Sequence, residues 1–442
     1  MSDALTILSR RRALVAGLSV GLSVDFLGRS CLAAASGAGQ RKLVVVICRG
    51  GMDGLSVSPP VGDPNYAALR GPIAIPGFGQ PGGALKLDDT FGLHPSLGNV
   101  YRLAQKGEAR IAPAVATPDR ARSHFEAQDV LESGDKVVYA SASGWLNRAL
   151  EAMGPGPVKA ISVGPTAPLI LRGKVEAASW SPGTGAERDP RLPAILADLY
   201  ANDPMLGKAL ASGLATQAMA KVATAGANQA LAAEPPQPGE MAASDMAGGE
   251  AAMNAQANAG GPPLRGALRQ GLPAARQLGA TLAGFMIQDG GPQVAAVSLD
   301  GFDTHANQGA SQGQLSTRLA YLDAVLDGLS SGLGASWKDT AVVVVTEFGR
   351  TAHVNGTGGT DHGTASTALL LGGALKKGGI VGDWPTLSPA RLFENRDTAP
   401  TLDMRGLFKG LLADHLGVER RALDTTVFPD TAAIAPAAGV VA

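Results

Sequence analysis

The chain has 442 residues, of which 45% are hydrophobic, 4% aromatic and 17% charged, with 37 Lys+Arg against 38 Asp+Glu. That length suffices for one large α/β domain or two ordinary ones, and the apolar content excludes a disordered chain. The balanced charge leaves no basic field for nucleic acid and no acidic tail, and the few aromatics argue against a lectin-like or cell-wall-binding surface.

Residues 1–35 read as a targeting segment. Arg10, Arg11 and Arg12 precede a moderately apolar run from Ala13 to Leu27, and Ala33-Ala34-Ala35 offer a small-residue cleavage site. Consecutive arginines before such a run suggest a twin-arginine signal. The twin-arginine translocase is then the expected partner during export, and the expected location is periplasmic or extracellular. A run of about 15 residues is short for a bilayer span, so no stable span is expected after cleavage. Cleavage leaves Cys48 as the sole cysteine, which excludes an internal disulfide in the mature chain. At the end of "KLVVVIC" it reads as a small buried hydrophobe.

Residues 42–48 predict a buried strand ended by the glycine turn "RGGMDG". Residues 94–107 predict a helix, with His94 at or near its N-cap and Gly107 at its stop. A strand over 109–116 follows, then a helix over 123–134 from Ser123 to Gly134. Strands are expected over 159–164 and 294–299. An amphipathic helix is expected over 314–333, with Leu315, Leu319, Leu322, Val325 and Leu326 on one stripe. Strands over 341–345 and 367–373 and a helix over 402–417 complete the series. Strand and helix alternate, and the strands are continuously apolar. The pattern predicts a three-layer, doubly wound α/β domain over 36–442, its sheet mostly parallel. One stretch breaks it. Residues of about 211–264 are rich in Ala, Gly, Met and Pro and read as an insertion with a flexible middle.

In doubly wound sheets, ligands bind beyond the carboxyl ends of the strands. Asp53 follows the first strand closely, as a metal-binding carboxylate would, although Asp and Gly also suit a plain turn. Ser123 at a helix start is either an N-cap or, at a terminus that favours developing negative charge, a nucleophile. Arg122 and His124 flank it and suit an anionic substrate. Asp303 and His305 stand two apart in the loop after 294–299, near enough to ligate one ion. Mixed carboxylate and imidazole donors suit zinc, manganese or iron. Glu347 follows strand 341–345 at once, and Asp361 and His362 lie just before the next strand. The chain has six histidines, and His124, His305, His353 and His362 all fall in these polar segments. A solvated loop would more often use Lys, Glu, Ser and Asn.

The segments "RGGMDGL", "DPNYAALR", "FGLHPSL", "RSHFEAQDVLESG", "GFDTHANQ", "TEFGRT", "GTDHG" and "LGGALKKGG" occur in this order. From about residue 41 to about 430, they resemble the ordered motifs of the domain-of-unknown-function family 1501. That family is exported and placed in the alkaline-phosphatase and sulfatase superfamily. The resemblance implies a sheet of alkaline-phosphatase type that holds one or two divalent metals (zinc, manganese or calcium) and hydrolyses phosphate or sulfate esters. It places Ser123 as nucleophile. It matches Asp303 and His305 to an Asp-then-His metal pair, Glu347 to an acidic ligand, and His362 with Asp361 to a late histidine ligand. Asp53 reaches a metal position through the flexible Gly50, Gly51 and Gly54. Arg49, Arg122 and Arg350 are assigned to a small anionic ester, since a fork of N–H donors matches its oxygens. His94 and His124 are assigned to proton transfer or support. Two positions depart from the superfamily pattern. Arg49 stands where a metal-binding Asp usually ends the first strand, and Phe348 follows Glu347 where relatives often have His. Both suit the alternative, a non-catalytic binding or assembly protein on the same fold.

Overall fold

The computed structural model describes residues 41–154, 159–164, 167–182, 192–200, 202–204, 206–233 and 271–442. The expected signal segment lies outside the described residues. The strands are β1 (Lys42–Cys48), β2 (Leu85–Lys86), β3 (Gly92–Leu93), β4 (Ala109–Ala116), β5 (Ala160–Val163), β6 (Ala177–Trp180), β7 (Val294–Leu299), β8 (Thr340–Val345), β9 (Ser366–Leu371) and β10 (Leu402–Asp403). The helices that matter here are α1 (Gly54–Val57), α2 (Tyr66–Arg70), α3 (Gly98–Gln105), α4 (His124–Ser133), α5 (Trp145–Ala152), α6 (Leu192–Leu199), α7 (Leu206–Ala233), α8 (Leu272–Ile287), α9 (Gln314–Leu333) and α10 (Met404–Leu416).

Apart from the β2–β3 pair, the strands form one eight-stranded sheet in the order β10-β4-β9-β8-β1-β7-β5-β6. Its pairings are parallel except those of β9, which runs against both β8 and β4. Every residue of β1, β8 and β9 is buried, which is why these segments are apolar without alternation. Alternate side chains of β1 serve two cores. Val44, Val46 and Cys48 pack with α3, α8 and α9, whereas Leu43, Val45 and Ile47 pack with α5 and α10. The expected three-layer α/β architecture is therefore present.

Two expectations shift. The helix read over 94–107 begins only at Gly98, because His94–Leu97 form a turn tied to Val57 by the His94 N–H. Residues 211–233 of the expected insertion lie within α7. Ala220, Ala223 and Ala227 are buried there, the first two within the core that α8 and α9 share. Small side chains let this helix pack closely, with Met219 also against that core. Residues 234–270 lie outside the described residues. Helices α8 and α9 also pack backbone to backbone: a Cβ on Gly279 would sit 1.9 Å from the Val325 carbonyl oxygen. Gly279→Ala should therefore destabilise the fold by about 1–3 kcal/mol, measured by urea unfolding, where an ordinary helical Gly→Ala would stabilise.

Candidate metal centre

The parallel strands point their carboxyl ends at one edge of the sheet. The segments after β1, β4, β7 and β8 carry Arg49 to Asp53, Thr117 to His124, Asp303 to His305, and Glu347 to Arg350. Antiparallel β9 starts where its neighbours end, so the loop entering it brings Asp361 and His362 to the same edge.

His124, Asp303 and His362 each offer one ligand atom within 4.8 Å of the others. The second ring nitrogen of each histidine fixes its tautomer. His124 Nδ1 lies 2.9 Å from Glu347 Oε1 and donates to it, and His362 Nδ1 donates to the Arg122 carbonyl at 2.9 Å. In the neutral rings, the form that binds a cation, both Nε2 atoms are then lone-pair donors. His124 Nε2 is buried and has no hydrogen-bond partner; its 3.5 Å approach to Asp303 Oδ2 falls short of one. A buried imidazole nitrogen without a partner, beside a carboxylate and a second imidazole, fits a cation. Two nitrogens and an oxygen suit zinc, manganese or iron and fit calcium, which takes oxygen ligands, poorly. Three protein ligands also leave room for a water or substrate oxygen.

The surroundings support this arrangement. His305 Nε2 lies 2.9 Å from His362 Nε2 and 3.0 Å from Asp303 Oδ1, within reach as a further donor. Asp361 stands further out, accepting from Asn355 and 3.4 Å from His305 Nδ1. The Phe348 ring packs against His124 at 4.9 Å and His362 at 4.8 Å, giving the site an apolar wall. Without a cation, the carboxylates of Asp303 and Glu347 hold the His124 imidazolium up to about 9 against the effect of burial. Burial would raise the Asp303 carboxyl, yet His124, His362 and Arg350 together hold it far below the usual carboxylate range.

The structure places several expected site residues away from the His124–Asp303–His362 cluster or in other contacts. Glu347, expected as a ligand, is 0% exposed and stands behind His124. Its Oε1 accepts from His124 and, at 2.8 Å, from the Gly50 N–H, while Oε2 accepts from Thr346 at 2.9 Å. Burial pushes its carboxyl up, and these hydrogen bonds outweigh it and hold the group ionised. His124, expected in proton transfer or support, also offers a ligand atom to the cluster. Asp53, also expected as a ligand, is buried in an ion pair with Arg70 and accepts from Gln308 at 2.6 Å and Ser56 at 2.9 Å. It caps α1 rather than facing the cluster.

The arginines expected to bind substrate are already committed. Arg350 is buried, donating to the carbonyls of Gly50, Gly51 and Thr360 and to Asp303. Arg49 pairs with Glu132 and Gln128, and Arg122 pairs with Asp397 and Glu394. Ser123 occupies the N-cap of α4, but its side chain makes no capping hydrogen bond.

His94 is buried with both nitrogens used. Nδ1 accepts from the Ser96 N–H, and Nε2 donates to the Ala310 carbonyl, each at 3.0 Å. His415 is likewise buried, 2.8 Å from the Lys42 carbonyl. Burial lowers both pKa values, so the folded state binds fewer protons than the unfolded chain below about pH 6.5. Their contribution to stability is complete above that value and is lost as pH falls through it towards their folded pKa values. Urea midpoints measured from about pH 6.5 to 5.5, below the range in which the raised His124 gains protons on folding, should fall, with a loss of up to about 1.4 kcal/mol per pH unit for each histidine. The slope should flatten in a His94→Asn, His415→Asn variant.

Asp397 is a structural member of the candidate site that no motif assigned, 33 residues beyond its partner Thr364, whereas Phe348, noted in the sequence only as a departure, forms its apolar wall.

Residues 40–427 match a family described as a protein of unknown function, DUF1501. The chain belongs to the DUF1501 family. No curated protein matches it. Among solved structures, the C-terminal periplasmic domain of EcEptC from Escherichia coli, in complex with Zn, is 11% identical. The match covers 75% of this chain and 72% of that one, with a TM-score of 0.28. At that likeness the site rests on its own geometry. Among the described residues, no helix is long and apolar enough to cross a membrane.

Proposed function

We propose that this chain is an exported, metal-dependent hydrolase of small phosphate or sulfate esters, of the alkaline-phosphatase and sulfatase type. One observation carries the reading: two imidazole Nε2 atoms and a carboxylate from one helix start and two loops converge, and each imidazole is fixed from behind by a protein acceptor. His124, Asp303 and His362 would hold a divalent cation, with His305 beside them. When bound, that cation would supply Lewis acidity towards an ester oxygen.

The remaining roles belong to the chain. Ser123 is the nucleophile, its hydroxyl free of the capping bond that a helix-start serine usually makes. The free N–H groups of α4 favour negative charge developing there. Glu347 and the Arg122 carbonyl keep the imidazoles oriented. Phe348 excludes water from one side. The twin-arginine segment supports export after folding, and hence a site assembled before translocation.

Ser123→Ala should leave metal content unchanged and cut turnover of the best ester in a phosphate and sulfate panel by on the order of 10³-fold or more. Metal analysis of the purified chain, run alongside, decides the first half of the reading. Absence of a stoichiometric divalent metal would sink it, and turnover independent of Ser123 would remove the nucleophile.

A specific observation favours the second reading, a non-catalytic binding or assembly protein. Arg49, Arg122 and Arg350 are all paired within the protein, so none of the three is left uncommitted for an anion. Under that reading the metal is present but no ester in the panel turns over.

A further inference from the structure

We propose that Asp397 is a positioning residue that holds Arg122 in a left-handed backbone conformation and thereby sets both Ser123 and His362. The functional consequence rests on the metal-centre reading above, whereas the anchor itself is a matter of backbone geometry.

Arg122 has φ 58, a region that residues with a Cβ rarely occupy. Such a conformation persists only where the surroundings over-determine it, and it clusters at functional sites. Arg122 has two functional neighbours. It directly precedes Ser123, which is extended at the start of α4 (φ −100, ψ 126). Its carbonyl oxygen also accepts the hydrogen bond from His362 Nδ1 that leaves Nε2 as a lone-pair donor. Rotating Arg122 into an ordinary backbone well would redirect that carbonyl and swing Ser123 with it.

The Arg122 side chain supplies the restraint. Its Nε and Nη2 donate to Asp397 Oδ2 at 3.2 and 2.8 Å. Asp397 is 0% exposed, and Thr364 donates to the same oxygen at 2.9 Å. Thr364 lies two residues beyond His362. One buried carboxylate thus fastens the loop ahead of α4 to the loop ahead of β9. The nucleophile candidate belongs to the first loop and a ligand to the second. A planar fork fixes direction as well as charge, which a lysine at 122 would not do. Glu394 adds an exposed contact to Nη2 at 2.6 Å. Asp397 reaches the site through Arg122 and Thr364, so its role is placement and not chemistry.

The test uses the purified chain and zinc as the probe. Variants are Asp397→Asn, Arg122→Ala, Arg122→Gly, and Arg122→Gly combined with Asp397→Asn, each checked for a native circular dichroism spectrum. Two quantities are read: zinc affinity, and the His362 tautomer from its ring nitrogen chemical shifts. Asp397→Asn and Arg122→Ala should each weaken zinc by about 10–100-fold, as the loss of an outer hydrogen-bond partner does. Both should also lose the fixed Nδ1–H form. Glycine adopts positive φ without strain, so Arg122→Gly, alone or with Asp397→Asn, should lose clearly less affinity than Arg122→Ala. Equal losses in Arg122→Ala and Arg122→Gly, or an unchanged tautomer in Asp397→Asn, would overturn the anchor. A parent protein that binds no zinc, yet shows this tautomer pattern, would remove the functional reading and leave the anchor standing.

Discussion

Alanine at His124 or His362 should abolish stoichiometric divalent metal in the purified protein, while alanine at the exposed His353 leaves it intact. Each of the first two changes deletes one of three donors to the same point. Losing an outer partner typically costs 10–100-fold in affinity, so losing a ligand should exceed roughly 100-fold. The fold should survive, since His124 is part-exposed and His362 sits in a loop. Glu347→Gln separates orientation from ligation. The amide retains an oxygen to accept from His124 Nδ1 but loses the charge behind it, so affinity should fall within about the 10–100-fold range and not vanish. Zinc analysis and competition with a chromophoric chelator measure both effects. Full occupancy in His124→Ala would show that the cluster is not the metal site. Complete loss in Glu347→Gln would return Glu347 to the ligand role that its sequence position suggested.

Asp53→Asn should unfold readily and yet keep its metal. Asp53 and Arg70 are 1% and 0% exposed, and their ion pair is buried. Removing the carboxylate charge leaves a guanidinium inside the protein whose Nε already lacks a partner. Breaking such a pair from one side costs about 3–5 kcal/mol, because the remaining charge is uncompensated. The same principle predicts that Asp53→Leu combined with Arg70→Met recovers much of that loss. Urea unfolding followed by fluorescence measures the stability, and metal content of the folded fraction measures the site. Loss of metal at unchanged stability would make Asp53 a ligand after all.

The contrast between Asp53 and Asp303 shows what was legible in the sequence. Both follow a buried strand by a few residues, and that placement correctly put both at the carboxyl edge of the sheet. It could not say which neighbour each would meet. Asp53 turns towards Arg70, a residue 17 positions on to which the sequence assigned no role. Asp303 turns towards histidines contributed by the start of α4 and by the loop ahead of β9. The apolar runs named the strands because strands covered on both faces have no polar side to show. They carried no information on direction, so the reversal of β9 was invisible. Four of the six histidines lie shortly after or before a strand, and three of them, His124, His305 and His362, meet at the candidate centre. Glu347 followed the expected position but not the expected job. Full burial and a hydrogen bond to His124 set it one layer back, and only the packing around it decides that. The alanine-rich helix α7 escaped because its contact with α8 depends on small size, which composition reads as an absence of core.

The reversed strand has a consequence of its own. Because β9 enters the sheet at the edge where its neighbours leave, His362 hangs from the start of a strand clamped on both sides. Its height above the sheet is therefore fixed by the alignment of Val342 with Leu371 on one flank and of Ala109 with Leu371 on the other. A slip of one residue would move His362 by about 3.3 Å and turn every side chain of β9 to the opposite core. That distance exceeds a metal–ligand bond of about 2 Å. The strand thus works as a ruler, and any cation held at its end would be a gauge of whether the sheet has closed in the right alignment.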